Sequence, residues 1–300
     1  MLTHSEFEPL DFLGVYKNLS EIENTYPFAR LSTIGKSVMG RDIFSLRIGR
    51  AASYVLFAAA FHGSEHITSA ILIEFIKRLS DAILKDGTIE GVKIRRALNG
   101  RGLIFVPLVN PDGCEISING KAGCGVLEPF ISKLCGKDYI HYNANARGVD
   151  INHNFDADWQ NLKQREIDAG IYSPAATRFG GYSPASEPET VALCTLCKSF
   201  NIRHAIALHS QGEVIYPPEK EDCPPRALKM AEIMSASSGY KIEYPEGLAV
   251  GGGFKDWFCK EFSRPAFTIE IGKGENPLPI ESYPKIYSDI SEMLTLCSIM

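Results

Sequence analysis

Short apolar runs alternate along the chain with longer stretches of helical periodicity, a pattern that predicts an α/β fold. After a helix-like N-terminal stretch, Phe44–Ile48 and Tyr54–Phe61 (YVLFAAAF) read as strands, the second apolar throughout and so buried on both faces. From Ser64 to Leu84, apolar Ile67, Ala70, Ile71, Ile76, Leu79 and Ile83 recur at helical spacing. Leu103–Leu108 reads as another buried strand, with Asn110-Pro111-Asp112-Gly113 expected to stop it as a turn. From about Gly113 to Ser186 periodicity is weak and Gly, Asn, Pro and aromatics abound. A long irregular region inside a compact domain predicts the loops of a binding or active site. Regularity returns with a helix from Glu187, a strand at Ala205–His209 and a helix from Pro224. A helix around Lys255–Glu261, a strand at Ala266–Ile271 and a last helix from Leu278 complete the pattern. No linker divides the chain, so residues 1–300 are expected to form one domain, with 1–33 as a helical extension packed on it.

Composition excludes several classes. At 45% hydrophobic and 22% charged residues the chain is neither disordered, collagen-like nor a coiled coil. Its net charge of −5 offers no electrostatic basis for binding nucleic acid or an anionic membrane. The first 17 residues carry three acids and no base before Lys17, unlike a secretory leader. The most apolar run, Tyr54–Phe61, is far short of the roughly 20 residues that span a bilayer. Eight cysteines are then expected as reduced thiols in the cytoplasm. The pair Cys194 and Cys197 spells C-x-x-C, but it lies in a helical run with no second pair, which reads as packing.

The sharpest local chemistry is His62-Gly63-Ser64-Glu65-His66, at the exit of a buried strand and the entrance of a helix. In open α/β sheets ligands gather at the carboxyl ends of strands. Residues three apart on a helical turn share a face, so His62 and Glu65 can grip one zinc ion, whose catalytic sites use three protein ligands and a water. Two readings compete. In one, His62 and His66 bind zinc with Glu65 as base, which needs a long helix and a downstream helical glutamate. In the other, His62 and Glu65 are ligands and a distant histidine completes the set; His209, ending the strand HAIALH, fits. Glu270 ends another apolar strand, and a buried carboxylate there is paired, metal-bound or held for proton transfer. Beside a zinc-bound water it suits amide hydrolysis. The alternative is an ion pair with Arg264 or a neighbour.

Together, His62-x-x-Glu65, Asn110-Pro111-Asp112-Gly113, Gly148-Val149-Asp150-Ile151-Asn152-His153-Asn154-Phe155, His209-Ser210 and Phe267-Thr268-Ile269-Glu270 resemble the zinc carboxypeptidases related to carboxypeptidase A. The match runs in consistent order from about Gly35 to the C-terminus. The resemblance implies a mixed, mostly parallel eight-stranded sheet with helices on both faces. It also implies one zinc per chain held by His62, Glu65 and His209, with Glu270 as general base, against the His66 reading.

Departures from that family's digestive members concern the substrate. Those enzymes read N-R where this chain has Asn152-His153, and histidine lacks the planar, always-charged fork that clamps a terminal carboxylate. Leu248 stands where a mobile tyrosine is expected, and Tyr142-Asn143-Ala144 offers no counterpart of the oxyanion arginine. Arg147 is the substitute candidate. The strings Ile34-Gly35-Lys36-Ser37, Gly40-Arg41-Asp42-Ile43, Asn145–Phe155, Gly252–Phe258 and Asn276-Pro277-Leu278-Pro279 resemble the branch of γ-D-glutamyl-meso-diaminopimelate peptidases. Members often carry cell-wall-binding repeats ahead of the catalytic domain, and this sequence shows none, which points to an enzyme acting on released muropeptides. Lys255 stands where related enzymes place the base of the side-chain pocket, and a lysine suits an incoming carboxylate. The bland alternative for it is a solvated helix-end lysine. Asn152, His153 and Lys255 are thus the expected substrate-binding residues. An ordinary carboxypeptidase, a deacylase on the same scaffold, and a non-catalytic zinc-dependent peptide-binding protein are the competing functions.

Overall fold

The run YVLFAAAF becomes a strand over Tyr54–Ala59, and its side chains divide by parity as a pleated strand requires. Val55, Phe57 and Ala59 enter one apolar layer, and Tyr54, Leu56 and Ala58 the other. Phe57 is fully buried, and burial of such a side chain contributes about 1.5–3 kcal/mol. The strand is therefore anchored from both faces. The structure, a computed structural model, describes residues 9–219 and 224–300.

Eight strands form the main sheet: β1 (Ala29–Lys36), β2 (Asp42–Ile48), β3 (Tyr54–Ala59), β4 (Gly102–Val106), β5 (Ile202–His209), β6 (Val214–Tyr216), β7 (Lys241–Ile242) and β8 (Ala266–Glu270). Their spatial order is β1-β2-β4-β3-β5-β8-β6-β7. The central strands β4, β3, β5 and β8 are parallel to one another, as are β6 and β7, and the remaining pairings are antiparallel. One face is covered by the helices Phe12–Thr25, Ile67–Leu84, Pro225–Ser238 and Tyr283–Ile299. The other is covered by Pro188–Ser199 and Phe254–Phe262. The expected α/β architecture, mixed and mostly parallel, is the one observed. Because β3, β5 and β8 run the same way, their carboxyl ends open on one side of the molecule.

Several local expectations change. The N-terminal extension is helical only over Phe12–Thr25, where the Asp11 side chain accepts from Gly14 N at 2.7 Å. Residues 29–33 belong to β1, an edge strand, and residues 1–8 lie outside the described residues. Asn110-Pro111-Asp112-Gly113 does not form a turn; it opens the helix Pro111–Asn119. Asn110 accepts from Gly113 N at 2.9 Å as N-cap, and Pro111 takes the first helical position. The irregular middle also contains the helices Glu128–Cys135 and Trp159–Asp168. The helix expected from Ser64 begins at Ile67, after a 3₁₀ turn at Gly63–Glu65. The last helix begins at Tyr283, beyond Pro277 and Pro279. Cys194 and Cys197 are free thiols on the helix Pro188–Ser199, with Cys197 in the core, so their spacing reflects packing. Among the described residues no helix is long and apolar enough to cross a membrane.

Candidate metal centre

Past the end of β3 the chain makes the 3₁₀ turn Gly63–Glu65, which brings His62 and Glu65 to one side. Only glycine fits at the turn's start. A Cβ on Gly63 would sit 2.3 Å from Gly113 O and 2.4 Å from Tyr142 O. Gly63 N donates to Asn143 O at 3.1 Å, and Asn110 Nδ2 donates to Phe61 O at 3.0 Å, so three distant segments fix this corner. His209 reaches the same place from the end of β5, its ring stacked on Phe61 with centroids 4.9 Å apart.

Ligand atoms of His62, Glu65 and His209 all lie within 4.8 Å of one another. Glu65 bridges the imidazoles, with Oε1 2.8 Å from His62 Nδ1 and Oε2 3.0 Å from His209 Nδ1. His62 Nε2 lies 3.0 Å from Asp150 Oδ1, and the other Asp150 oxygen accepts from Arg178 N at 2.9 Å. A buried carboxylate behind a ligating imidazole fixes its tautomer and orientation. Burial acts to raise the Glu65 carboxyl, but the two imidazoles outweigh it and pull it down to about 2. Burial acts to lower His62, but Glu65 and Asp150 hold it well above the ordinary histidine range. Two imidazole nitrogens and a carboxylate, converging with like donors this close, are the donor set that zinc takes. His66 is not among them. It is buried, its Nδ1 has no hydrogen-bond partner among the described residues, and burial pushes it down to about 4.

Glu270 is the last residue of β8 and pairs in register with His209 on parallel β5, so the two side chains project from the same face of the sheet. Burial, with Glu65 adding to it and His62 opposing, pushes its carboxyl well above the usual range. Arg264, the alternative partner, lies at the opposite end of the strand and donates to Asn201 Oδ1 at 2.8 Å and to Ile202 O.

The other expected residues are distributed unevenly. Asn152 Oδ1 accepts from Phe254 N at 3.0 Å, which leaves its amide N–H groups as donors. His153 is buried, with Nδ1 2.9 Å from Glu166 Oε1; Glu166 also accepts from Gly180 N and from Lys163 Nζ at 2.9 Å. Lys255 is not a solvated lysine, for it is only 4% exposed and pairs with Asp256. Arg147 lies 3.6 Å from Glu187 and shares no hydrogen bond or ion pair with His62, Glu65, His209 or Glu270. The sequence reading missed Asp150 and Glu166 as partners of His62 and His153. Asp150 stands between Val149 and Ile151, and the rule that singled out Glu270, an acid among apolar residues, applies to it equally.

Comparison with known proteins adds an independent observation. The family model described as zinc carboxypeptidase matches residues 15–292. The chain is 33% identical to gamma-D-glutamyl-L-diamino acid endopeptidase 1 of Lysinibacillus sphaericus, over 93% of this chain and 69% of that one. A crystal structure of thrombin activatable fibrinolysis inhibitor superposes with a TM-score of 0.75, at 18% identity, over 99% of this chain and 75% of that one. Murein-tripeptide amidase MpaA from Escherichia coli O157 does so with a TM-score of 0.55, at 21% identity, over 88% and 91%. The last two show a shared fold.

Proposed function

Because the chain belongs to the zinc carboxypeptidase family, and so is a zinc metallopeptidase, we propose that it hydrolyses the γ-D-glutamyl–meso-diaminopimelate amide of peptidoglycan stem peptides. The observation that carries this choice of bond is the burial of Lys255 beside Asp256 at the start of the helix Phe254–Phe262. Diaminopimelate has a second amino-acid head at the far end of its side chain, and Lys255 with Asp256 presents a cation and an anion to match that carboxylate and amine. The similarity to an endopeptidase named for a γ-D-glutamyl–diamino acid bond supports the same choice.

His62, Glu65 and His209 would hold a single zinc. A zinc bound there would supply Lewis acidity to a water and to the scissile carbonyl. Glu270 takes the proton from the attacking water and returns it to the leaving amine. Asp150, 3.0 Å from His62 Nε2, would hold His62 in the tautomer that leaves Nδ1 free as a metal donor. Asn152 and Lys255 bind the diaminopimelate end, and His153, fixed by Glu166, lines the place where a clamp arginine would stand. Without that fork, a simple C-terminal carboxylate is a weaker handle, which disfavours an ordinary carboxypeptidase. Arg147 is the candidate to stabilise the oxyanion. Residues 1–300 form one catalytic unit in this reading, and the thiols of Cys114, Cys124, Cys135, Cys194, Cys197 and Cys297, outside any disulfide, fit a reducing compartment such as the cytoplasm.

The test is mass spectrometry of products from the zinc-loaded protein and L-Ala-γ-D-Glu-meso-diaminopimelate. The reading expects L-Ala-D-Glu and free diaminopimelate. Release of L-Ala, or an intact tripeptide with and without zinc, contradicts it.

A further inference from the structure

The strands that deliver His209 and Glu270 begin at a second concave site. A cavity of about 610 Å³ opens at the starts of β5 and β8, lined by Asn201, Arg203, Pro225, Arg226, Arg264 and Pro265 among others. Eight residues of β5 at about 3.3 Å each separate it from the metal centre, a distance of roughly 25 Å. Three half-buried guanidinium groups thus share one cavity. Arg226 donates to Arg203 O and Arg264 to Asn201 Oδ1 and Ile202 O, all neutral oxygens, whereas Arg203 donates to an α-carboxylate oxygen of Met300 at 3.4 Å. Neither Arg226 nor Arg264 forms an ion pair with a carboxylate among the described residues, and Arg203 Nε is buried without a hydrogen-bond partner among them.

Three like charges around one hollow repel one another, and the repulsion is visible at Arg226. Burial, then Arg203 and Arg264, all pull its guanidinium below its ordinary range. In a chain of net charge −5 this is a local concentration of the opposite sign. Arginine forks favour a tetrahedral oxyanion, and the cavity volume suits a small molecule.

We propose that this cavity is a binding site for a compact, multiply charged phosphate ester, separate from the metal centre. Arg203, Arg226 and Arg264 supply the charge and the forks. A macromolecular polyanion is disfavoured by the overall negative charge of the chain.

Isothermal titration of the zinc-loaded protein with fructose 1,6-bisphosphate and with inorganic phosphate tests this. The expected result is saturable one-to-one binding of the bisphosphate, tighter than that of phosphate and weakened by salt. Arg226→Gln should weaken it by at least about tenfold, and Arg226→Lys, which keeps the charge and loses the fork, should fall between. Both variants lose the same main-chain hydrogen bond, so the comparison separates charge from fold. Peptide hydrolysis without phosphate should match wild type in both. No saturable binding, equal affinity in all three proteins, or equal loss in Lys and Gln variants overturns the proposal.

Discussion

Glu65 and Glu270 are carboxylates of one site held in opposite states. Two imidazoles pull Glu65 down to about 2, whereas burial and the Glu65 charge push Glu270 up. Environments that drive two carboxyls apart mark a division of roles, in the proposed mechanism ligand and proton carrier. Glu270→Gln should lower turnover by about 10²–10⁴ while zinc content and melting temperature stay near wild type. Retained activity would end that role, and a collapsed melting temperature would make Glu270 structural. Asp150→Asn removes the charge behind His62 Nε2 and should weaken zinc binding by about 10–100-fold, read by competition with a chelating dye. Unchanged affinity would show that His62 needs no partner. Lys255→Ala should reduce kcat/KM for the diaminopimelate peptide by the equivalent of about 2–5 kcal/mol. The loss should be much smaller on the lysine analogue lacking the distal carboxylate, and equal losses would assign the pocket to other residues.

The helix Pro188–Ser199 carries a buried acid in its first turn, Glu189. It accepts from Val38 N at 3.0 Å and Asn145 Nδ2 at 3.1 Å, tying the helix to the chain after β1 and to the loop before Asp150. Burial, opposed by these hydrogen bonds and reinforced by Asp112, raises it from 4.5 to about 7. The folded chain therefore holds a proton that the unfolded chain releases near 4.5. By linkage, stability falls as pH rises from about 4.5 to about 7 and stays lower above. Melting temperature should decline across that window, and Glu189→Gln should flatten the decline; parallel curves for the two proteins would contradict the assignment. Elements differed in how far local residues declared them. Tyr54–Ala59 and Ala266–Glu270 were legible because central parallel strands are apolar on both faces. β1 was not, since an edge strand of mixed exposure has no such signature, and β6 and β7 are three and two residues long. Asn110-Pro111-Asp112-Gly113 suits a turn or a helix start, and only its contacts to Phe61 and Ala144 choose between them. The candidate metal ligands His62, Glu65 and His209 declared themselves by spacing and strand ends. Glu166 did not, because its partner His153 lies 13 residues away and a loop must fold before they meet.

At the scale of the molecule, one sheet presents two chemistries at its two ends. The carboxyl ends of β5 and β8, with the turn after β3, gather the imidazoles and carboxylates, while the starts of β5 and β8 face the arginine-lined cavity. The irregular segments between the helices close over the first end, sending Asp150 to His62 and Asn152 to Phe254. The family scaffold accounts for zinc and hydrolysis; in the proposed reading His153 and Lys255 decide which peptide enters. The most direct measurement of that division is kcat/KM of the zinc-loaded protein for L-Ala-γ-D-Glu-meso-diaminopimelate against benzoyl-Gly-Phe, an ordinary α-linked C-terminal peptide. Preference for the γ-linked diaminopimelate peptide by at least about 100-fold is the predicted result. Equal values, or preference for benzoyl-Gly-Phe, would contradict it and make the chain an ordinary carboxypeptidase.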